Sequence, residues 1–205
     1  MNRFSRILLI LLLIISVNII FAQVDSPVRI TKGLKGGINF ANFHGADADS
    51  DFKNAFIFGG FLGVTLTNLI TIQPELLFTG KGANEGSDSN KVKYKLNYLE
   101  IPVLLRFNVF EAPTIKPGLY FGPAVGIKIN AKRMVEVNGE TSEEDLEGIR
   151  TPEIGFAVGG TIDFYLGVGA IVLDVRYTSG FNSIFEAEGI EIKNGVFSLM
   201  AGLVF

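Results

Sequence analysis

The stretch Ile70-Thr-Ile-Gln-Pro-Glu-Leu-Leu-Phe-Thr-Gly-Lys81 decides the architecture. Ile70, Ile72, Pro74, Leu76 and Phe78 recur at every second position. Thr71, Gln73, Glu75, Thr79 and Lys81 lie between them, with Leu77 the one apolar member of that set. Successive side chains of a β-strand point to opposite faces, so a period of two gives this segment one apolar and one polar surface.

The same split recurs outward in both directions. Leu34, Ile38 and Phe40 oppose Lys35, Gly37 and Asn39; Phe58, Leu62, Val64 and Leu66 oppose Gly59, Phe61, Gly63 and Thr65. Leu99, Ile101, Val103, Leu105 and Phe107 oppose Glu100, Pro102, Leu104 and Arg106, and Leu119, Phe121, Val125 and Ile127 oppose Tyr120, Gly122, Gly126 and Lys128. Ile154, Phe156, Val158, Ile162 and Phe164 oppose Gly155, Ala157, Gly159, Thr161 and Asp163. Ile171, Leu173, Val175 and Tyr177 oppose Val172, Asp174, Arg176 and Thr178, and Phe197, Leu199, Ala201, Leu203 and Phe205 oppose Ser198, Met200, Gly202 and Val204. The pattern predicts eight strands and almost no helix. Short connections at 67–69, 109–114 and 165–169 alternate with longer, more polar ones at 43–54, 82–91, 131–151 and 180–194. Such an arrangement predicts an all-β, eight-stranded antiparallel up-and-down barrel with short turns at one end and long loops at the other, the layout of transmembrane barrels.

Which face turns outward decides the compartment. A soluble barrel hides its apolar face; a membrane barrel presents it to lipid. Here the polar face is rich in glycine (Gly37, Gly59, Gly63, Gly122, Gly126, Gly155, Gly159, Gly202) and carries few charges. Glycine weakens a solvent-facing strand without any gain, whereas the narrow lumen of an eight-stranded barrel requires small residues. The apolar face is bulky and nearly uncharged over about nine residues per strand, the height of a tilted membrane-spanning strand. Phe78, Phe107, Phe121, Tyr177, Phe197 and Phe205 are expected near the ends of that band as interfacial aromatics. The rival architecture is a soluble, lipocalin-like barrel enclosing an apolar ligand.

Composition narrows the functions. The 205 residues include 18 Lys+Arg, 21 Asp+Glu, one His, no Cys and no Trp. Without cysteine there is no disulfide framework, thiolate metal site or cysteine nucleophile. A net charge of −3 offers no basic excess for a nucleic acid. Residues 1–22 read as a cleavable signal peptide: Arg3 and Arg6, an apolar run from Ile7 to Ile15, and Ala22 ahead of Gln23. The run is too short for the roughly 20 residues of a spanning helix. Its removal leaves 16 basic against 21 acidic residues. Residues 23–205 then form one barrel domain.

Three segments carry a resemblance. Gly33-Leu-Lys-Gly-Gly-Ile-Asn-Phe40, Ile72-Gln-Pro-Glu-Leu-Leu-Phe78 with Gly80-Lys-Gly82, and Leu96-Asn-Tyr-Leu-Glu-Ile-Pro-Val-Leu-Leu-Arg106 are similar to strands of the small outer-membrane β-barrel proteins of Bacteroidetes often called PorT-like. The resemblance spans about residues 31–205 and implies an outer-membrane barrel. It does not carry over the namesake's part in type IX secretion. The chain end, with Phe197, Leu199, Leu203 and Phe205 at alternate positions, resembles the C-terminal signal that barrel-assembly machinery reads. The partners so implied are outer-membrane lipids and that machinery, with an envelope or extracellular protein partner left unidentified.

Candidate chemistry is sparse. Glu75, Glu100, Arg106, Lys128, Asp163, Asp174 and Arg176 are expected in the lumen as ion pairs that plug it, Arg106 or Arg176 neutralising Glu75 and Glu100 on neighbouring strands. His44, with Ser50, Asp47, Asp49 and Asp51 nearby, is the single candidate base for a lipid-modifying hydrolase, but no nucleophile motif surrounds any serine. Asp47-Ala-Asp-Ser-Asp51 opens like a calcium loop, yet Phe52 and Phe58 stand where glycine and a bidentate glutamate are needed. Glu143, Glu144, Asp145 and Glu147 read as a solvated loop tip. No catalytic, cofactor or metal site is expected, and the function expected is a non-enzymatic structural or surface-interaction role.

Overall fold

Burial alternates along the chain with the period of the sequence and with the polar residues inside. The computed structural model describes residues 28–45, 51–87, 90–110, 112–137, 140–185 and 191–205. Residues 1–22, expected as a signal peptide, and Asp47, Asp49 and Ser50 lie outside the described residues. The strands are β1 (Arg29–His44), β2 (Lys53–Thr65), β3 (Ile70–Lys81), β4 (Asn84–Ser87), β5 (Asn90–Asn108), β6 (Ile115–Val137), β7 (Glu140–Asp145), β8 (Glu153–Tyr165), β9 (Ala170–Gly180) and β10 (Lys193–Val204). Eight of them close a barrel: β5-β3-β2-β1-β10-β9-β8-β6 run antiparallel, and the β5–β6 pairing completes the ring. Closure leaves the wall without a free edge, which is what a lipid-immersed sheet requires. The first and last strands meet along twelve paired residues, from Gly33 opposite Val204 to His44 opposite Lys193.

The apolar face is outside. Leu34, Leu76, Ile101 and Leu203 are 61, 53, 39 and 60% exposed, whereas Lys35, Glu75 and Arg176 on the alternate positions are 5, 3 and 1% exposed. A soluble carrier would have the reverse, so the lipocalin-like alternative fails. From Phe197 on β10 to Phe205 just past its end, the outer apolar row runs over nine residues, matching the roughly 9–11 that cross a bilayer at a tilt. Towards the long-loop end this row gives way to polar or small side chains: Asn42 on β1, Asn54 on β2, Asn97 on β5, Ser179 on β9 and Gly195 on β10. The belt therefore has a defined upper edge.

Two expectations change. Phe121 lies at mid-height on β6, where Phe107, Phe121, Phe156 and Phe181 stack in a diagonal ladder with ring centroids 5.8, 6.0 and 6.3 Å apart. Side chains of neighbouring tilted strands stack across the wall, so these rings run along the wall rather than around its rim. The segments 82–91 and 131–151 are also less loop than expected. β5 and β6 continue past the belt, and β4 and β7 flank them to make a four-stranded sheet, β4-β5-β6-β7. The eight residues 130–137 alone extend it by about 25 Å. Polar composition hid these strands, because a sheet standing in water needs no apolar row on its outer face.

Candidate functional site

Alternation dictates that every second residue of the eight barrel strands enters the lumen, and the register decides which of them meet. At the centre, Lys35 Nζ lies 2.8 Å from Glu75 Oε1 and 2.7 Å from Asp174 Oδ2. Arg176 approaches the same carboxylates at 2.9 and 3.3 Å. Gln73 donates to Glu75 at 2.7 Å, and the Tyr120 hydroxyl accepts from Arg176 Nε at 3.0 Å while donating to Asp174. Two cations thus face two anions, and the interior charge balances where desolvation is costliest. Gly159 makes room for this arrangement, since a Cβ there would lie 2.4 Å from the Tyr120 oxygen.

Nearer the long-loop end, Asn39 bridges Thr79, Gly80 and Ser198 at 2.7–2.8 Å. Beyond it Lys81 lies 2.5 Å from Glu100 and 3.4 Å from Glu153, whose carboxylate also accepts from Asn194 at 3.2 Å. Towards the short turns, Arg106 holds Asp163 at 2.7 Å. Apolar collars separate these layers: Ile57, Leu77 and Met200 form one, Leu104, Tyr120 and Ala157 another. At the long-loop mouth Phe43, Leu96, Tyr98, Ile149 and Ile184 pack together, with Tyr94, Leu146, Phe185 and Ile192 against them. A greasy cap closes the lumen at that end.

Of the seven expected lumen residues, Glu75, Asp174 and Arg176 meet directly, Arg106 and Asp163 form a separate pair, and Glu100 takes Lys81 instead of an arginine. Lys128 joins none of them. It lies at the rim beside a bulge that shifts the register between Asn97 and Tyr98, and its Nζ donates to the Ile149 carbonyl at 3.0 Å. Lys35, Lys81, Glu153 and Tyr120 complete the network. Lys35, Lys81 and Tyr120 stood on the polar face of the alternation, so their phase was the available signal; Glu153, one residue ahead of the alternation that starts at Ile154, has the same phase as Gly155 and Ala157.

The loop-end sheet is held by surface ion pairs, Lys93–Glu136 at 3.2 Å, Lys132–Glu143 at 2.5 Å and Arg133–Glu144 at 3.1 Å. A hydrogen bond and the charge of Lys132 hold the Glu143 carboxyl below its ordinary value. At the base of this sheet, burial and then the charge of Lys95 bring the Lys53 ammonium down to about 8.

His44 is the last residue of β1, not a loop residue, and its neighbour is Ser179 on β9, with Oγ 3.4 Å from Nε2. Its Nδ1 has no hydrogen-bond partner among the described residues, and among them no carboxylate orients the ring as a general base. Burial, then the charge of Lys193, holds the imidazole below its ordinary value. Among the described residues no group of three or more His, Asp or Glu side chains could hold a metal.

A closed sheet with an apolar wall, a charge-paired interior and polar loops at one end is an integral outer-membrane β-barrel. The chain belongs to the outer membrane protein beta-barrel domain family, whose model matches residues 21–186, and it resides in the outer membrane. Among solved structures, the chain is similar to three outer-membrane proteins. Neisserial surface protein A is 14% identical, with 87% of this chain and 98% of that one covered at a TM-score of 0.49. Ail, the attachment invasion locus protein of Yersinia pestis, is 15% identical over 85% and 98% at 0.47. OprG from Pseudomonas aeruginosa is 11% identical over 89% and 99% at 0.44. A comparison with curated proteins returns no match.

Proposed function

We propose that the protein is a non-enzymatic barrel that presents its long-loop end, above all the β4-β5-β6-β7 sheet, outside the cell. The observation that carries this reading is the division of the molecule into a lumen closed by ion-paired layers and a greasy cap, and a polar sheet projecting beyond the belt. An eight-stranded lumen filled by side chains has no room for a conducting path or a ligand. The interior charges act as a plug that locks the register. A sheet held by exposed ion pairs, by contrast, is suited to contact with other envelope or extracellular molecules.

The same proposal has residues 1–22 removed on export, Phe197, Leu199, Leu203 and Phe205 read by barrel-assembly machinery, and kinship with the PorT-like barrels of Bacteroidetes. The chain contains no cysteine, so one introduced thiol reports orientation cleanly. Ser142→Cys on β7 should react with a membrane-impermeant maleimide on intact cells, and Thr67→Cys in a short turn should react only after the envelope is opened. The opposite pattern overturns the orientation. Overproduction should leave the acyl chains of envelope lipids unchanged; a change lost in Ser179→Ala would overturn the non-enzymatic reading.

A further inference from the structure

The polar layer directly beneath the greasy cap does not balance. There Lys81 faces two carboxylates, Glu100 at 2.5 Å and Glu153 at 3.4 Å, whereas the central layer sets two cations against two anions. Among the described residues no other cation lies within ion-pair distance of either carboxylate. Lys128, at the same rim, donates to the Ile149 carbonyl instead. The internal segments outside the described residues, 46–50, 88–89, 111, 138–139 and 186–190, contain no lysine, arginine or histidine to make up the difference. One uncompensated negative charge in an interior filled by side chains is costly. The same layer holds three buried oxygens without a hydrogen-bond partner, Glu153 Oε1, Asn194 Oδ1 and the Tyr98 hydroxyl, on residues at most 3% exposed. They lie close together. Asn194 Nδ2 donates to the other Glu153 oxygen at 3.2 Å, and the Tyr98 hydroxyl faces both residues. Glu153 Oε1 lies over Gly180, which has no side chain to donate to it.

We propose that this layer binds one monovalent alkali cation of sodium size, held by Glu153 Oε1, Asn194 Oδ1 and the Tyr98 oxygen. Carboxylate, amide and phenol oxygens are hard donors, which suit an alkali or alkaline-earth ion rather than a transition metal. The charge count selects between those two. One positive charge brings Lys81, Glu100 and Glu153 to neutrality, and a divalent ion would leave an excess of the opposite sign. A single proton would also balance the charge, but a proton is shared by two oxygens, whereas a cation is contacted by all three at once. A dehydrated sodium ion is no larger than a water molecule, so it completes the packing and the lumen stays closed. Bound there, it ties β8 and β10 to β5 directly under the cap. The site does not depend on which side of the membrane the projecting sheet faces, so it and the proposed orientation fail separately.

The full chain, folded into phosphatidylcholine vesicles, is unfolded in urea with sodium chloride or choline chloride at equal ionic strength. At about 0.3 M salt the unfolding equilibrium constant should be roughly tenfold lower in sodium, the effect of a site with a Kd of about 30 mM. Glu153→Gln removes the excess charge and keeps the shape, so its stability should be the same in both salts. Tyr98→Phe removes an oxygen that no hydrogen bond uses, and should weaken the sodium response while leaving stability in choline unchanged. Glu136→Gln, in the exposed pair with Lys93, should respond to sodium as the unaltered chain does. Heat-modifiable gel mobility shows whether each variant folds, and if Glu153→Gln does not, Tyr98→Phe decides. Equal stability of the unaltered chain in the two salts would overturn the proposal; the three oxygens then share a water or, where stability in choline rises as the pH falls, a proton. A sodium response undiminished in Glu153→Gln or in Tyr98→Phe would overturn it as well, since the ion would then be bound elsewhere.

Discussion

Glu75 takes hydrogen bonds from Lys35, Gln73 and Arg176, and the value of each depends on the others remaining. Removing Arg176 leaves Glu75 and Asp174 to share one ammonium in a desolvated interior. Arg176→Met should therefore cost about 3–5 kcal/mol, the usual result of breaking a buried pair from one side. Lys93→Met removes a pair whose side chains are 38 and 42% exposed, and should cost no more than about 1 kcal/mol. Urea unfolding of both variants in lipid vesicles measures the contrast. Similar losses would mean that the central layer is far wetter than its burial implies. The sequence placed Glu75, Asp174 and Arg176 on the inner face by phase alone. Their partners were illegible, because Lys35 and Asp174 lie 139 residues apart and meet only through strand register.

The extended sheet behaves differently from the barrel beneath it. Its edge strand β7 is exposed along 141–145 and held by Lys132–Glu143 and Arg133–Glu144. Glu143 has its carboxyl held below the ordinary value of 4.5, so the pair contributes stability above that value and loses it as pH falls through the lower folded one. Protection of the β7 amides, taken relative to the intrinsic exchange rate at each pH, should fall selectively below pH 4.5 while β9 and β10 remain protected. Protection in β7 that does not change with pH would show that backbone pairing alone fixes the edge. These strands escaped the sequence reading for a physical reason. Glu140 to Asp145 has no apolar alternation, and its strand form comes from pairing with β6, which is a tertiary fact.

At the scale of the molecule, lipid outside and ion pairs inside make one consistent arrangement. Leu173, at mid-height on β9 and 46% exposed, faces the bilayer interior. Leu173→Arg should destabilise folding into vesicles by roughly 2–4 kcal/mol, the cost of a cation near the midplane, whereas Asn42→Arg at the upper edge should cost little. Equal costs would contradict the position of the belt. The capped, layered lumen also predicts no steady conductance in planar bilayers. Opening of the cap by Ile149→Asp should raise access of small reagents to Tyr98 without creating a channel, since the charged layers below remain.

What the sequence determined by itself was the period of two, the number of barrel strands and the side that meets lipid. Those follow from local chemistry: a β-strand alternates its faces whatever it pairs with, and glycine-rich positions fit only a crowded interior. What the tertiary structure decided was the identity of every partner. Register brought Lys81 to Glu100, left Lys128 at the rim, set His44 against Ser179, and brought His44 and the Tyr177 hydroxyl over Gly195. Pairing between strands far apart in the chain leaves no trace in either strand alone, so closure of the barrel, and nothing shorter, fixed those contacts.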